Sequence, residues 1–108
     1  MSFLNLNELK ESEIVPGFHG RFVHADHITL AYWNIDAGAA LPAHAHPHEQ
    51  IVNVIEGEFA FTLAGETRTL SAGAVVNIPS NVPHAGKAIT ACKIIDAFYP
   101  VREDYKSK

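Results

Sequence analysis

The sequence predicts an all-β fold, a sandwich or barrel of short strands. Three observations point there. Alternating or β-branched runs of four to nine residues recur through the chain. They follow one another at roughly ten-residue spacing. Glycine, proline and acidic or small polar residues separate them as turns.

Phe18 to His24 is the first run, turned by Ala25-Asp26. Ile28 to Asp36 follows and closes at Ala37-Gly38. Ile51 to Ile55 leads into Glu56-Gly57. Glu58 to Leu63 places Phe59, Phe61 and Leu63 on one face by the two-residue period of a strand. Ala64-Gly65-Glu66 makes a hairpin turn, and Thr67 to Leu70 returns. Ser71-Ala72-Gly73 turns the chain into Ala74 to Ile78, which stops at Pro79. Val82 to Ala88 and Ala91 to Phe98 complete the pattern. Only the first fifteen residues offer a helix, over Asn7 to Glu13, capped by Asn7 and ended by Pro16-Gly17.

Composition bounds the function. The chain has 108 residues, which predicts one domain, with 1–15 as an extension, a barrel over 18–98 and a tail over 99–108. A formal charge of −4 and scattered Lys and Arg argue against nucleic acid and against a membrane surface. The one cysteine, Cys92, allows no internal disulfide and reads as a small buried hydrophobe. Met1 to Lys10 lacks a basic start followed by an apolar core, so no signal peptide and a cytoplasmic location are expected. Seven histidines are the unusual feature.

The densest of them lie in Ala43-His44-Ala45-His46-Pro47-His48-Glu49-Gln50. On a strand, His44 and His46 project to one face about 7 Å apart, close enough to converge on one ion. Pro42 and Pro47 bracket them and restrict the backbone. A His-x-His pair by itself is often two polar residues on a strand face. A third neutral donor, His84, follows Pro79-Ser80-Asn81-Val82-Pro83.

Two modules extend this pattern. Gly38, five residues, His44-x-His46, Gln50, six residues and Gly57 form the first; Gly73, five residues, Pro79, four residues and His84 form the second. In these modules the chain resembles the cupin superfamily. Two positions depart from the family pattern: Asn81 stands for a glycine and Ala88 for an asparagine. Asparagine tolerates the left-handed backbone that a turn glycine supplies. The resemblance implies a jelly-roll barrel. It also implies one divalent transition ion (nickel, zinc, iron, manganese or cobalt) held by His44, His46, Gln50 and His84. Glu49 is the alternative ligand, but only Gln50 leaves six residues before Gly57. Four neutral donors leave the ion's charge uncompensated, which favours an anionic substrate. His48 reads as a rim residue, and His19, His24 and His27 as ordinary strand histidines.

In the last run Asp96 and Phe98 share a face. An edge strand with Asp96 outward, beside Lys93 or Arg102, is one reading; a place in a metal pocket is the other. The stretch Asp96-x-Phe98-x-Pro100-x-Arg102-Glu103-Asp104, with His46-Pro47-His48-Glu49-Gln50, resembles the KdgF-type cupins of pectin and alginate breakdown. That likeness implies conversion of cyclic 4,5-unsaturated uronates to linear 4-deoxy-5-keto uronates. It implies Asp96 and Arg102 as catalytic residues, with Phe98 and Arg102 binding a small anionic sugar. Lys87 is a further candidate for attracting it. A metal-dependent dioxygenase or a non-catalytic effector-binding cupin are the competing functions. A homodimer is expected, since small cupins usually pair and Phe3, Leu4, Leu6 and Leu9 need cover.

Overall fold

A computed structural model describes residues 2–108. Ten strands run in chain order: β1 Ser12–Val15, β2 Phe18–His24, β3 Thr29–Ile35, β4 Ala40–His44, β5 Glu49–Glu56, β6 Phe59–Leu63, β7 Glu66–Leu70, β8 Val75–Ile78, β9 His84–Ala88 and β10 Cys92–Tyr99. They form a six-stranded antiparallel sheet, β1-β2-β3-β10-β5-β8, facing a four-stranded one, β4-β9-β6-β7. The two sheets enclose the core. Strict alternation builds it: β3 buries Thr29, Ala31, Trp33 and Ile35, and β10 buries Cys92, Ile94, Asp96 and Phe98. Trp33, Phe18 and Phe59 meet edge to face in the interior.

The structure corrects the expected N-terminal helix. Asn7 to Glu13 form no α-helix. A single 3-10 turn spans Leu6–Glu8, and Asn5, not Asn7, caps it by accepting from the Asn7 amide at 3.0 Å. Ser12–Val15 is a strand paired with β2, so Pro16-Gly17 makes a hairpin turn. Arg21 on β2 anchors this edge, donating to the Leu9 carbonyl at 3.2 Å and pairing with Glu11 at 2.9 Å. Too few residues precede the turn for a helix to propagate, while the alternation Ser12, Ile14 suits an edge strand. β10 lies between β3 and β5 rather than at an edge, and Asp96 points inward, which decides between the two readings of its position.

Two backbone positions shape the turns near the site. Asn81 adopts φ 64°, the left-handed conformation, where the cupin pattern carries glycine. Gly57 has φ 91°, and a Cβ there would lie 2.2 Å from the Ala91 carbonyl oxygen.

Candidate metal centre

The register of the smaller sheet pairs His44 directly with His84 across β4 and β9. Opposed residues of an antiparallel pair share a face, so both rings enter the barrel interior. Their centroids are 4.2 Å apart. His46 lies beyond the end of β4 rather than on the strand, which departs from the simple two-residue spacing. A turn holds it in place: the Asn81 amide donates to the His46 carbonyl at 2.8 Å, and the Ser80 hydroxyl to the Pro47 carbonyl at 2.7 Å. Pro79-Ser80-Asn81-Val82 thus clips the first histidine loop to the start of β9. The ligating atoms of His44, His46 and His84 all lie within 4.8 Å of one another.

Hydrogen bonds fix the tautomers. The Nδ1 of His44, His46 and His84 each face a backbone carbonyl, of Pro42, His48 and Val82, at 2.9, 3.0 and 2.9 Å. A carbonyl only accepts, so each Nδ1 donates and each neutral Nε2 presents a lone pair. The Nε2 of His84, a residue 3% exposed, is buried without a partner. Gln50 on β5 is buried beside them, and its Oε1 lies 3.0 Å from His46 Nε2. Two lone pairs therefore face each other, an arrangement that a shared cation relieves. Burial and the nearby Arg102 cation hold the His46 pKa below its ordinary value, and burial does the same at His84. Neutral imidazoles are the ligand form. This donor set fits a divalent transition ion. Glu49 is exposed on the opposite face of β5.

Asp96 joins this group from β10. Trp33 Nε1 donates to its Oδ2 at 2.9 Å, and Oδ1 is buried without a partner. Burial raises its pKa to about 7, against the opposing pull of Gln50, Trp33 and Arg102. Phe98, two residues on, lies 5.8 Å from the His46 ring. Arg102 is 8% exposed, and its guanidinium carbon sits 4.7 Å from the Phe98 centroid and 4.0 Å from that of Tyr105. All of these line one cavity of about 300 Å³.

The remaining candidates separate. His48 is half-buried, its ring 6.4 Å from Phe98. His19 contacts Asp36 at 3.1 Å and His24 contacts Thr29 at 2.8 Å, both away from the cluster, while His27 is exposed. Lys87 is exposed on the outer face of β9 between buried Gly86 and Ala88, so it does not reach the cavity. Sequence reasoning missed Asp104 and Tyr105 as lining residues. Tyr105 enters by packing on Phe22 at 4.6 Å, a long-range contact that leaves no local signature.

Residues 31–98 match the Cupin domain family. The chain belongs to the cupin family. No curated protein sequence matches it. Among solved structures, this cupin is similar to an RmlC-like cupin from Shewanella frigidimarina, at 29% identity and TM-score 0.92, covering 97% of this chain and 96% of that one. It is equally similar to KdgF from Halomonas, at 30% identity and TM-score 0.91, covering 97% and 98%. The salicylate 1,2-dioxygenase of Pseudoaminobacter salicylatoxidans shares the fold at 20% identity and TM-score 0.76, over 80% of this chain and 26% of that one.

Proposed function

We propose that this cupin opens cyclic 4,5-unsaturated uronate monosaccharides to linear 4-deoxy-5-keto uronates, an isomerisation that consumes no oxidant. One observation carries the reading. A neutral three-histidine and amide set, a buried carboxyl and a guanidinium converge on a single cavity of about 300 Å³. The likeness to KdgF over nearly the whole chain supports it.

The residues divide the work by their chemistry. Arg102 offers charge-assisted hydrogen bonds to the substrate carboxylate. Phe98 gives the cavity an apolar wall for the sugar ring. Asp96 takes the proton of the anomeric hydroxyl. The bond between C1 and the ring oxygen then breaks, C1 becomes an aldehyde, and the electron pair spreads over the ring oxygen, C5 and C4 as an enolate. Asp96 returns a proton to C4, which leaves a ketone at C5. A carboxyl titrating at about 7 can both accept and donate near neutral pH. When bound by His44, His46, Gln50 and His84, a divalent ion supplies Lewis-acid stabilisation of charge developing on oxygen.

The test supplies the metal-loaded protein with unsaturated digalacturonate and a lyase that releases the monomer. The ring-alkene absorbance should decay faster than with lyase alone, and a chelator should abolish the gain. An unchanged decay overturns the reading. Oxygen uptake by iron-loaded protein would instead assign a dioxygenase.

A further inference from the structure

We propose that Asp104 is a positioning residue for Arg102, tying one edge of its guanidinium so that the other edge receives the substrate carboxylate. The inference rests on the uronate reading above and assigns the origin of its selectivity for an anion.

The geometry is specific. Arg102 Nε donates to Asp104 Oδ1 at 3.0 Å and Nη2 to Oδ2 at 2.8 Å. This is a side-on, two-bond pair, and it uses the Nε–Nη2 edge alone. Asp104 does not engage Nη1. The backbone is held separately, because the Arg102 amide donates to Thr29 Oγ1 at 2.9 Å, and Thr29 is fully buried. The Phe98 and Tyr105 rings, set at 82° to each other, form a corner around the guanidinium carbon. Backbone, one edge and the flat faces are thus constrained, and one edge remains.

Burial distinguishes positioning from competition. The Arg102 side chain is 10% exposed and that of Asp104 56%. Asp104 therefore meets the pair from the solvent side, at the mouth of the cavity. The guanidinium of Arg102 reaches inward to line the same cavity as His46 and His84. A carboxylate already paired with Arg102 does not cancel its use, since a guanidinium carries five donors and Asp104 engages two of them. What Asp104 removes is rotational freedom, and a prearranged fork binds more tightly than a free one.

The experiment measures galacturonate and galacturonate methyl ester binding to zinc-loaded protein by calorimetry, with the Arg102 Nε–H followed by nitrogen-15 NMR. Asp104→Asn should weaken galacturonate binding about tenfold while leaving the ester unchanged, so selectivity for the anion collapses. Asp104→Glu should restore part of it. In an Arg102→Lys background, which lacks the fork, Asp104→Asn should have no further effect. In the wild type the Nε–H resonance should persist when galacturonate binds. Tighter or unchanged galacturonate binding by Asp104→Asn overturns the proposal, as does loss of the Nε–H bond on binding, which would make Asp104 a competitor. A wild type that binds neither compound overturns the uronate reading itself, and this proposal with it.

Discussion

His44, His46 and His84 each spend Nδ1 on a backbone carbonyl, which leaves three lone pairs aimed at one point. Gln50 adds a fourth neutral donor, and its identity sets the charge of the site. Gln50→Glu would lower the net charge of an ion and its ligands from +2 to +1. Affinity for an anionic substrate should fall, by about tenfold if the anion sits near the ion, and steady-state kinetics would record it as a higher KM. Asp96→Asn should lower kcat by about 10²- to 10⁴-fold with little change in KM, as loss of a proton-transfer group does. Arg102→Ala should act mainly on KM, about 10- to 100-fold, through lost charge-assisted hydrogen bonds. Asp96 also predicts a pH effect. Its folded pKa of about 7 exceeds the ordinary carboxylate value, so between about 4 and 7 the folded state binds more protons than the unfolded one. Its contribution to stability is present at low pH and is lost as pH rises through 7. Burial of His46 and His84 acts in the opposite sense below pH 6.5. The stability gap between chelator-treated Asp96→Asn and wild type isolates Asp96, and it should widen in favour of the variant from pH 4 to 7.

Among the elements, β10 does most to place the site, because it sits between β3 and β5 and carries both Asp96 and Phe98 inward. Its alternation, and that of β2, β3, β5, β6, β8 and β9, is legible in the sequence because a two-sided strand writes burial as a period of two, while β7, with four exposed residues and one half-buried, is legible from its Ala64-Gly65 hairpin turn. β1 and β4 are legible in neither way. β1 has four residues against a Pro-Gly turn, too few to separate a strand from a helical start. β4 has no buried residue, so its strand character comes from pairing with β9 rather than from its own pattern. The candidate ligands were legible because their spacing is local, whereas Asp104 and Tyr105 depend on where the tail packs. The turns can be tested directly. Gly57→Ala forces a Cβ against the Ala91 carbonyl at a left-handed φ, and should cost more than about 2 kcal/mol in denaturant unfolding. Gly38→Ala, with φ 85° but open space around the added Cβ, should cost only the conformational strain of about 1 kcal/mol.

At the scale of the whole molecule, the outer face of the six-stranded sheet exposes Ile51 and Ile55 on β5, Val75 on β8 and Tyr99 on β10, three adjacent strands. The N-terminal arm adds Phe3, at 99% exposure, and Leu4. An apolar surface of this extent on a small domain favours association. We propose a homodimer through this face. Sedimentation should give about twice the 11.8 kDa chain mass, and Ile51→Glu with Val75→Glu should return the monomer. A wild-type monomer at micromolar concentration would contradict the proposal.

We propose that the barrel interior holds one divalent ion through four neutral donors, His44, His46, Gln50 and His84, beside Asp96. Calorimetric titration of chelator-stripped protein with zinc tests it most directly. One ion per chain is expected for the wild type, with binding lost in His84→Ala and in His46→Ala while both variants remain folded. No binding by the wild type, or wild-type binding by His84→Ala, would contradict it.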